Sequence, residues 1–269
     1  MGINIGKVYD LNAAYFLSVA QIRDLTQQRA INTLVTDLKG YGVWDKMKAI
    51  YPFIGQPDIS SSFEVNLKEP TTFRGTFYGT WSFADTGATP DGTTAYMDTG
   101  LSPSTSLTNN NTSIGIYNQP PTEAPKPDVP IGIIAPSSNN PILFIRFYTN
   151  VYQSSQYDIN TSGNYFQTSW SPDYNELKGF WASSRTANNI FKLYKNESLL
   201  GTKTYTESLD ITTLTHSITI AALNRGTSQI SYDSTTKSFA FIGDGLTDTD
   251  ASNLYTAVQR FQTTLGRQV

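Results

Sequence analysis

The chain has 269 residues, of which 38% are hydrophobic, 13% aromatic and only 15% charged, and its formal net charge at pH 7 is −3. This balance excludes a strongly basic nucleic-acid-binding surface or a general attraction to anionic membranes, and the absence of cysteine excludes disulfides and thiolate metal sites. Abundant Ser, Thr, Asn and Gly are typical of turn-rich β structure with a polar surface.

The N-terminal part of the chain predicts short helices. An apolar stretch at 13–19 forms the first of them. The same region superficially resembles a secretion signal, but Asp10 and Asn12 stand where a basic flank should lead into the apolar run, so we do not expect secretion by that route.

Further apolar residues recur at helical spacing before Gly40, and others predict one more short helical turn that ends at Pro52. Helices this short need an apolar surface to pack on, either the following domain or a partner. We predict that residues 1–58 form a helical anchoring or oligomerisation region that docks through an apolar set: Ile31, Leu34, Val35, Leu38, Trp44 and Met47.

From about Phe63 the pattern changes to that of β-strands. The segment 73–83 alternates four aromatic residues with smaller ones, which predicts a strand. Clusters of turn-forming residues separate five further predicted strands, at 112–118, 142–148, 190–196, 216–223 and 238–243. The proline-rich segment 118–130 cannot pair as a central strand and is predicted to be an exposed loop. Many short strands separated by turns favour an antiparallel sandwich or jelly roll.

An acidic segment precedes the last apolar-periodic stretch of the chain. An EF-hand frame that starts at either Asp244 or Asp248 lacks the glycine required at position 6. A helix fits better, because Thr247 can cap the backbone and Asp250 stands three residues later, as in a capping box. We therefore predict a helix over 248–266 and no metal site.

Three stretches of the C-terminal half have the order of a known fold: FKLYKNESLLGTKT, HSITIAALNRGTSQISY and FAFIGDGLTDTDASNLYTAVQRF. They resemble the laminin-G-like, concanavalin A-like lectin jelly rolls, although Asn196-Glu197 replaces the usual Asn-Gly turn. The resemblance implies a mainly β, antiparallel jelly-roll β-sandwich over residues 59–269, with a small helical N-terminal region and a C-terminal helix.

Three earlier stretches resemble a family of tailed-bacteriophage virion proteins that carry a helical piece before such a sandwich: LVTDLKGYGVWDKMKAIYPFIG, FEVNLKEP and GTTAYMDTGLSP. This resemblance implies a non-enzymatic structural component of the virion, as a head decoration or fibre or as a tail-associated protein. We expect a virion location, capsid or tail proteins as partners, self-association as a trimer or dimer, no cofactor, no nucleic acid and no membrane insertion.

No catalytic constellation is recognisable in the sequence. The segment 207–210 (ESLD) has the wrong spacing for the paired carboxylates of a concanavalin-like glycoside hydrolase. The single histidine, His216, is in phase with apolar neighbours and is predicted to be a hydrogen-bonded core residue of a strand. We therefore predict no enzymatic activity and no catalytic residue.

A binding function remains as the alternative. Tyr165, Trp170 and Tyr174 lie among polar residues, and aromatic faces beside polar groups are typical of sugar-binding clefts. The same three side chains would also suit the core of a sandwich. The alternative function is a lectin-like module that binds a host-surface glycan, with or without calcium, and a glycan hydrolase is the third hypothesis.

Overall fold

The computed structural model describes residues 9–56, 59–119, 128–136, 141–148, 151–159, 166–169, 174–204 and 211–269. Within these ranges the chain forms four α-helices: α1 (Leu11–Val19), α2 (Leu25–Gly40), α3 (Pro103–Ser106) and α4 (Asp248–Thr264). The same ranges contain seventeen strands: β1 (Met47–Tyr51), β2 (Thr76–Tyr78), β3 (Trp81–Ala84), β4 (Gly87–Pro90), β5 (Tyr96–Asp98), β6 (Thr112–Asn118), β7 (Ile131–Ile134), β8 (Pro141–Tyr148), β9 (Val151–Ile159), β10 (Phe166–Ser169), β11 (Gly179–Ala187), β12 (Ile190–Lys195), β13 (Ser198–Thr204), β14 (Thr219–Ile220), β15 (Leu223–Asn224), β16 (Gln229–Ile230) and β17 (Lys237–Gly243).

In the described part of the chain the strands form two sheets that pack face to face. The first sheet has eight strands in the order β13-β12-β11-β6-β17-β4-β3, with β1 also paired to β17. The second has nine, in the order β10-β9-β8-β7-β14-β5-β2, with the hairpin of β15 and β16 beside β7. The described pairings are antiparallel apart from that of β15 with β7. The predicted mainly β jelly-roll sandwich is therefore confirmed.

The alternation of side chains along the central strand β6 explains why the first sheet is buried on both faces. Ile114 and Ile116 point between the sheets into the inner core, whereas Tyr117 points outward. Because both faces of this strand are covered, all of its residues are buried. The sheet therefore needs a second layer on its outside, which the helices supply.

Helices α1, α2 and α4 cover the outer face of the first sheet. The residues that were predicted to dock on a partner are at most 5% exposed in the chain itself: Ile31, Leu34, Val35, Leu38, Trp44 and Met47. They share one hydrophobic cluster with Leu254 and Phe261 of α4 and with Phe239 of β17. This corrects the docking prediction, because the chain's own sheet and last helix already cover the apolar stripe. No helix in the described ranges is both long and apolar enough to cross a membrane.

The segment after Trp44 also differs from the prediction of a helical turn. A short 3-10 turn over Trp44–Lys46 leads directly into strand β1. Ile50 pairs with Phe241 on the edge of β17. Pairing and burial on both faces favour the strand over the helix that the spacing of its apolar residues suggested.

The segment 73–83 is not one strand. It divides at Gly79, whose φ of 73° and close approach to the backbone of Thr94 leave no room for a side chain. The first part becomes β2 of the second sheet and the second part becomes β3 of the first. Phe77 still lies 4.9 Å from Trp81 between ring centroids, so the aromatic residues close this edge of the sandwich.

The predicted strand at 216–223 is interrupted: only the two residues of β14 and Leu223, the first residue of β15, lie in strands. His216 precedes it in a loop and is half-buried, with Nε2 2.9 Å from the carbonyl oxygen of Ile134. Ile218 and Ile220 enter the inner core but His216 does not. The prediction of a hydrogen-bonded histidine is confirmed, whereas its place in the core of a strand is wrong.

The predicted cap of the last helix is confirmed. The backbone N–H of Thr247 donates to Asp250 Oδ2 at 2.9 Å, and the backbone N–H of Asp250 donates to Thr247 Oγ1 at 3.2 Å. Helix α4 ends before Gly266, which has a φ of 69°. Most of the proline-rich segment predicted as a loop, residues 120–127, lies outside the described residues.

Candidate functional site

Among the described residues, the outer face of the second sheet carries an exposed pair of stacked aromatic side chains. Strands β2 and β5 end this sheet, and alternation sends Phe77 and Met97 toward the inner core. Tyr78 and Tyr96 therefore point to the outside, directly opposite each other in the register. Their ring centroids are 4.8 Å apart and the ring planes differ by only 13°.

Exposure within this pair is unequal. Tyr78 is 45% exposed, whereas Tyr96 is half-buried. Tyr96 packs against one side of the Tyr78 ring and so restricts its motion, and the indole N–H of Trp81 donates to the carbonyl oxygen of Tyr78 at 2.9 Å. An aromatic ring that is both accessible and held in place can bind a ligand with little loss of conformational entropy.

A third tyrosine, Tyr232, comes near Tyr96 and Asp91 from a distant part of the sequence. The backbone N–H of Asp233 donates to the carbonyl oxygen of Ala221 at 2.9 Å, which fixes the preceding residue, Tyr232, beside the end of β14. Burial, together with the neighbouring Tyr96 phenol and Asp91 carboxylate, raises the pKa of Tyr232 above its ordinary value. We call Tyr78, Tyr96 and Tyr232 the tyrosine platform.

A tight loop bounds the platform on one side. The carboxylate of Asp91 accepts hydrogen bonds from the backbone N–H groups of Thr93, Thr94 and Ala95 at 2.8, 2.8 and 2.9 Å, and another from the Thr94 hydroxyl. Partial burial would by itself raise the pKa of Asp91, but these hydrogen bonds hold it well below its ordinary value. The loop thus presents a fixed negative charge beside Tyr96 and Tyr232.

A second carboxylate bounds the platform along the strands. Asp98 follows Tyr96 by two residues on the same face of β5, and it lies opposite the exposed Thr76 of β2. Its Oδ1 accepts a hydrogen bond from the Gly100 N–H at 2.8 Å and another from the Ser217 hydroxyl. Polar acceptors therefore stand close to the exposed ring of Tyr78.

The aromatic residues that the sequence proposed for sugar binding cannot be compared with this site. Tyr165 and Trp170 lie outside the described residues. Tyr174 begins a short 3-10 turn, Tyr174–Leu177, but its side chain is outside the described part. Binding by these three residues stays a prediction.

The sequence reading missed the tyrosine platform, although part of its signal was present. Once Phe77 is assigned to the core, alternation places Tyr78 on the outside, and the same reasoning applies to Met97 and Tyr96. The pairing of the two strands and the approach of Tyr232 depend on contacts distant in sequence.

A cleft near the helices is a weaker candidate. It has a volume of about 310 Å³ and is lined by Asn12, Lys39, Gly42, Trp44 and Asp45. The Lys39 ammonium is already bound to Asp10 at 2.8 Å and to Asn12 at 2.6 Å, so the cleft's main charge is engaged within the chain. Across the described ranges, no three His, Cys, Asp or Glu residues are grouped so that they could hold a metal ion.

No protein-family model matches the chain, and no curated protein matches it. Among solved structures, it is similar to domain 4 of a GH43 extracellular arabinanase from Geobacillus stearothermophilus, in complex with arabinotriose: the identity is 17%, the TM-score is 0.49, and 78% of this chain and 98% of that one are covered. It is also similar to the Ruminococcus gnavus IT-sialidase CBM40 bound to alpha2,3 sialyllactose, with 12% identity, a TM-score of 0.41 and 58% and 91% covered. A third is the binding domain of botulinum neurotoxin serotype D/C, with 12% identity, a TM-score of 0.48 and 80% and 53% covered.

None of these comparisons indicates a bacteriophage origin, a virion location or self-association, so those expectations stay predictions.

Proposed function

We propose that this protein is a non-catalytic, glycan-binding β-sandwich whose ligand packs on the tyrosine platform. The observation that carries the proposal is the exposed ring of Tyr78, held against Tyr96 at 4.8 Å on the outside of the second sheet. If the pair only stabilised the sheet, it would not have to be exposed, because cross-strand aromatic pairs also stabilise a sheet when they are buried.

The chemistry of the platform suits a saccharide. A sugar ring has apolar C–H faces and a rim of hydroxyl groups, so it needs a flat apolar surface with hydrogen-bonding groups beside it. The Tyr78 ring supplies the surface, and the Asp98 carboxylate and the Thr76 hydroxyl lie on the same face of the same two strands. Tyrosine hydroxyls add further donors and acceptors.

The state of the Asp91 carboxylate favours binding over hydrolysis. A glycoside hydrolase needs a carboxylic acid whose pKa is raised, so that it is protonated when it meets the glycosidic oxygen. The hydrogen bonds that Asp91 accepts have the opposite effect: burial alone would raise its pKa, but together these hydrogen bonds outweigh burial and leave the pKa lowered. Asp91 is therefore unsuited to the role of general acid.

The proposal is tested by affinity electrophoresis of the purified protein in native gels that contain single soluble polysaccharides. Neutral probes are arabinan, xylan, dextran and galactomannan, and charged probes are alginate, polygalacturonate and dextran sulfate. We expect retardation by at least one polymer, and we expect Tyr78→Ala to weaken it by about tenfold or more, equivalent to about 1.4 kcal/mol.

Tyr15→Ala is the matched control, because Tyr15 is 44% exposed on α1, close to the value for Tyr78, but lies on the helical layer. It should bind as the wild type does. Equal retardation of Tyr78→Ala and wild type would refute the platform as the site. If Trp170→Ala abolishes binding instead, the aromatic cluster proposed from the sequence is the binding site.

The prediction of a virion component is a separate matter, since a particle protein can also bind glycans. It is tested by peptide mass spectrometry of purified particles, with heads and tails separated. Absence of the chain from every particle fraction would refute it.

A further inference from the structure

We infer that the tyrosine platform selects uncharged saccharides and disfavours carboxylated or sulfated ones. This inference rests on the proposed glycan-binding function and names the class of ligand that the site accepts. It comes from the sign of the charges placed around the aromatic rings, which is a property separate from the rings themselves.

Two carboxylates border the platform on different sides. Asp91 lies in the tight loop before β5, close enough to influence Tyr232, and Asp98 lies on β5 itself. Asp91 is ionised at neutral pH, because its hydrogen bonds lower its pKa, and Asp98 adds a second acidic side chain on the same face of β5 as Tyr96. A sugar carboxylate or sulfate that stacks on Tyr78 would face charges of its own sign, and like charges at close range weaken binding.

The basic residue nearest in sequence to Tyr78, Arg74, does not offset the negative charge of the carboxylates around the platform. Arg74 lies two residues before the first residue of β2, and its Nη2 lies 3.5 Å from the Glu64 carboxylate. Its charge is therefore balanced within the chain. Arg74 is the only Lys or Arg between residues 69 and 125, so the segment that carries Tyr78, Tyr96 and both carboxylates supplies no second arginine to bind a carboxylate or sulfate group.

Asp98 is also suited to bind an uncharged sugar directly. Its Oδ1 is engaged by Gly100 and Ser217, whereas Oδ2 has no hydrogen-bond partner in the described ranges. A carboxylate oxygen accepts hydrogen bonds and donates none, so it matches a sugar hydroxyl and is mismatched to an ionised acid group. The same geometry thus attracts one class of ligand and disfavours the other.

The test compares two derivatives of the polysaccharide that is best retained in the affinity gels. The hydroxyethyl derivative adds uncharged bulk, and the carboxymethyl derivative adds similar bulk with a negative charge. We expect the carboxymethyl derivative to bind at least about fivefold more weakly at low ionic strength, and the difference to shrink as salt is added.

A variant that changes the charge of the protein tests the inference independently of which polysaccharide is used. Thr76 is exposed and lies opposite Asp98, so Thr76→Lys places an ammonium group beside that carboxylate. We expect this variant to bind the carboxymethyl derivative more tightly and the hydroxyethyl derivative more weakly than Thr76→Gln, the uncharged control of similar length. Thermal melting of both variants checks that the edge strand still folds.

The outcomes separate the two claims. If retention depends on Tyr78 but favours the carboxymethyl derivative in the wild type, the inference about charge is overturned and the glycan-binding function stands. If Thr76→Lys and Thr76→Gln discriminate equally between the derivatives, the role of Asp98 is overturned. If no polymer shows retention that depends on Tyr78, both the function and the inference fall.

Discussion

The guanidinium of Arg267 connects the C-terminal end of the chain to three other parts of the fold. Arg267 is only 4% exposed, and burial lowers its pKa to about 9, so the group is charged at pH 7. It donates to one side-chain oxygen and four backbone carbonyls: Gln262 Oε1 at 2.6 Å, Ser238 O at 2.7 Å, Pro52 O at 2.8 Å, Phe53 O at 3.0 Å and Asp85 O at 3.3 Å. Every N–H of the guanidinium is therefore paired.

Replacement by methionine keeps much of the volume but removes all of these donors. The oxygens of Gln262, Pro52 and Phe53 are then left without this donor in a buried place. A buried unsatisfied acceptor costs about 1–3 kcal/mol, and part of this is offset because a charge no longer has to be buried. We expect Arg267→Met to lower the free energy of unfolding by roughly 3–5 kcal/mol, a large part of the 5–15 kcal/mol that is typical of a domain.

The assay is equilibrium unfolding in urea, with the midpoint and slope fitted separately. Arg260→Met is the matched control, because Arg260 lies on α4 seven residues before Arg267, its side chain is 63% exposed and its Nη1 lies 3.3 Å from Asp37. Such surface ion pairs contribute about 0–1 kcal/mol. If the losses of unfolding free energy in the two variants differ by less than about 1 kcal/mol, the buried guanidinium contributes no more than a surface ion pair. That result would refute the prediction.

Two further predictions concern the start of α4. Thr247→Ala removes the oxygen that accepts the Asp250 N–H at 3.2 Å and should lower the free energy of unfolding by about 1 kcal/mol in urea, whereas Thr247→Ser should retain most of it; equal losses would contradict the cap. Hydrogen bonds from Lys192 and Tyr194 hold the pKa of Asp248 below its ordinary value, so this carboxylate stabilises the fold fully above about pH 4 and loses its effect as the pH falls through the folded-state pKa. Asp248→Asn should therefore lower stability by less than about 1 kcal/mol at pH 7, because the side chain is 62% exposed, and by still less in acid; a difference that does not change between pH 7 and pH 2.5 would contradict this assignment.

The elements that the sequence predicted well are those whose cause is local. Thr247 and Asp250 are separated by one helical turn, and the capping box needs no other part of the chain. Strand β6 runs over the predicted residues 112–118, because β-branched and aromatic residues lie between clear turn signals. In both places the local preference agrees with the tertiary structure.

The elements that were predicted wrongly depend on distant partners. The apolar spacing around Met47 fits a helix as well as a strand, and the free edge of β17 decides in favour of the strand. The aromatic alternation through 73–83 continues unchanged across Gly79, although the chain moves there from one sheet to the other. Periodicity reports which side chains are buried, but it does not report which sheet buries them.

The candidate site could likewise be predicted from the sequence only in part. Alternation in β2 and β5 places each tyrosine outside, but only the register puts Tyr78 opposite Tyr96. Tyr232 comes near Tyr96 and Asp91 from a distant part of the sequence, where a backbone hydrogen bond from Asp233 to Ala221 holds its segment in place. Sequence could therefore identify exposed aromatic residues one by one, whereas their assembly into a surface required the fold.

The burial of the helical stripe changes where an interaction has to be sought. From the sequence, the apolar stripe on α2 predicted that a partner would bind there. In the structure, Leu34 and Leu38 of this stripe are fully buried beneath α4 and the first sheet. The helices thus complete the core of the sandwich, and a partner that used this stripe would first have to displace α4. The exposed ring of Tyr78 requires no such rearrangement, since it is already accessible and held in position by Tyr96. Because a preformed surface binds without the free energy of unfolding an element, the outer face of the second sheet is the better place for a ligand.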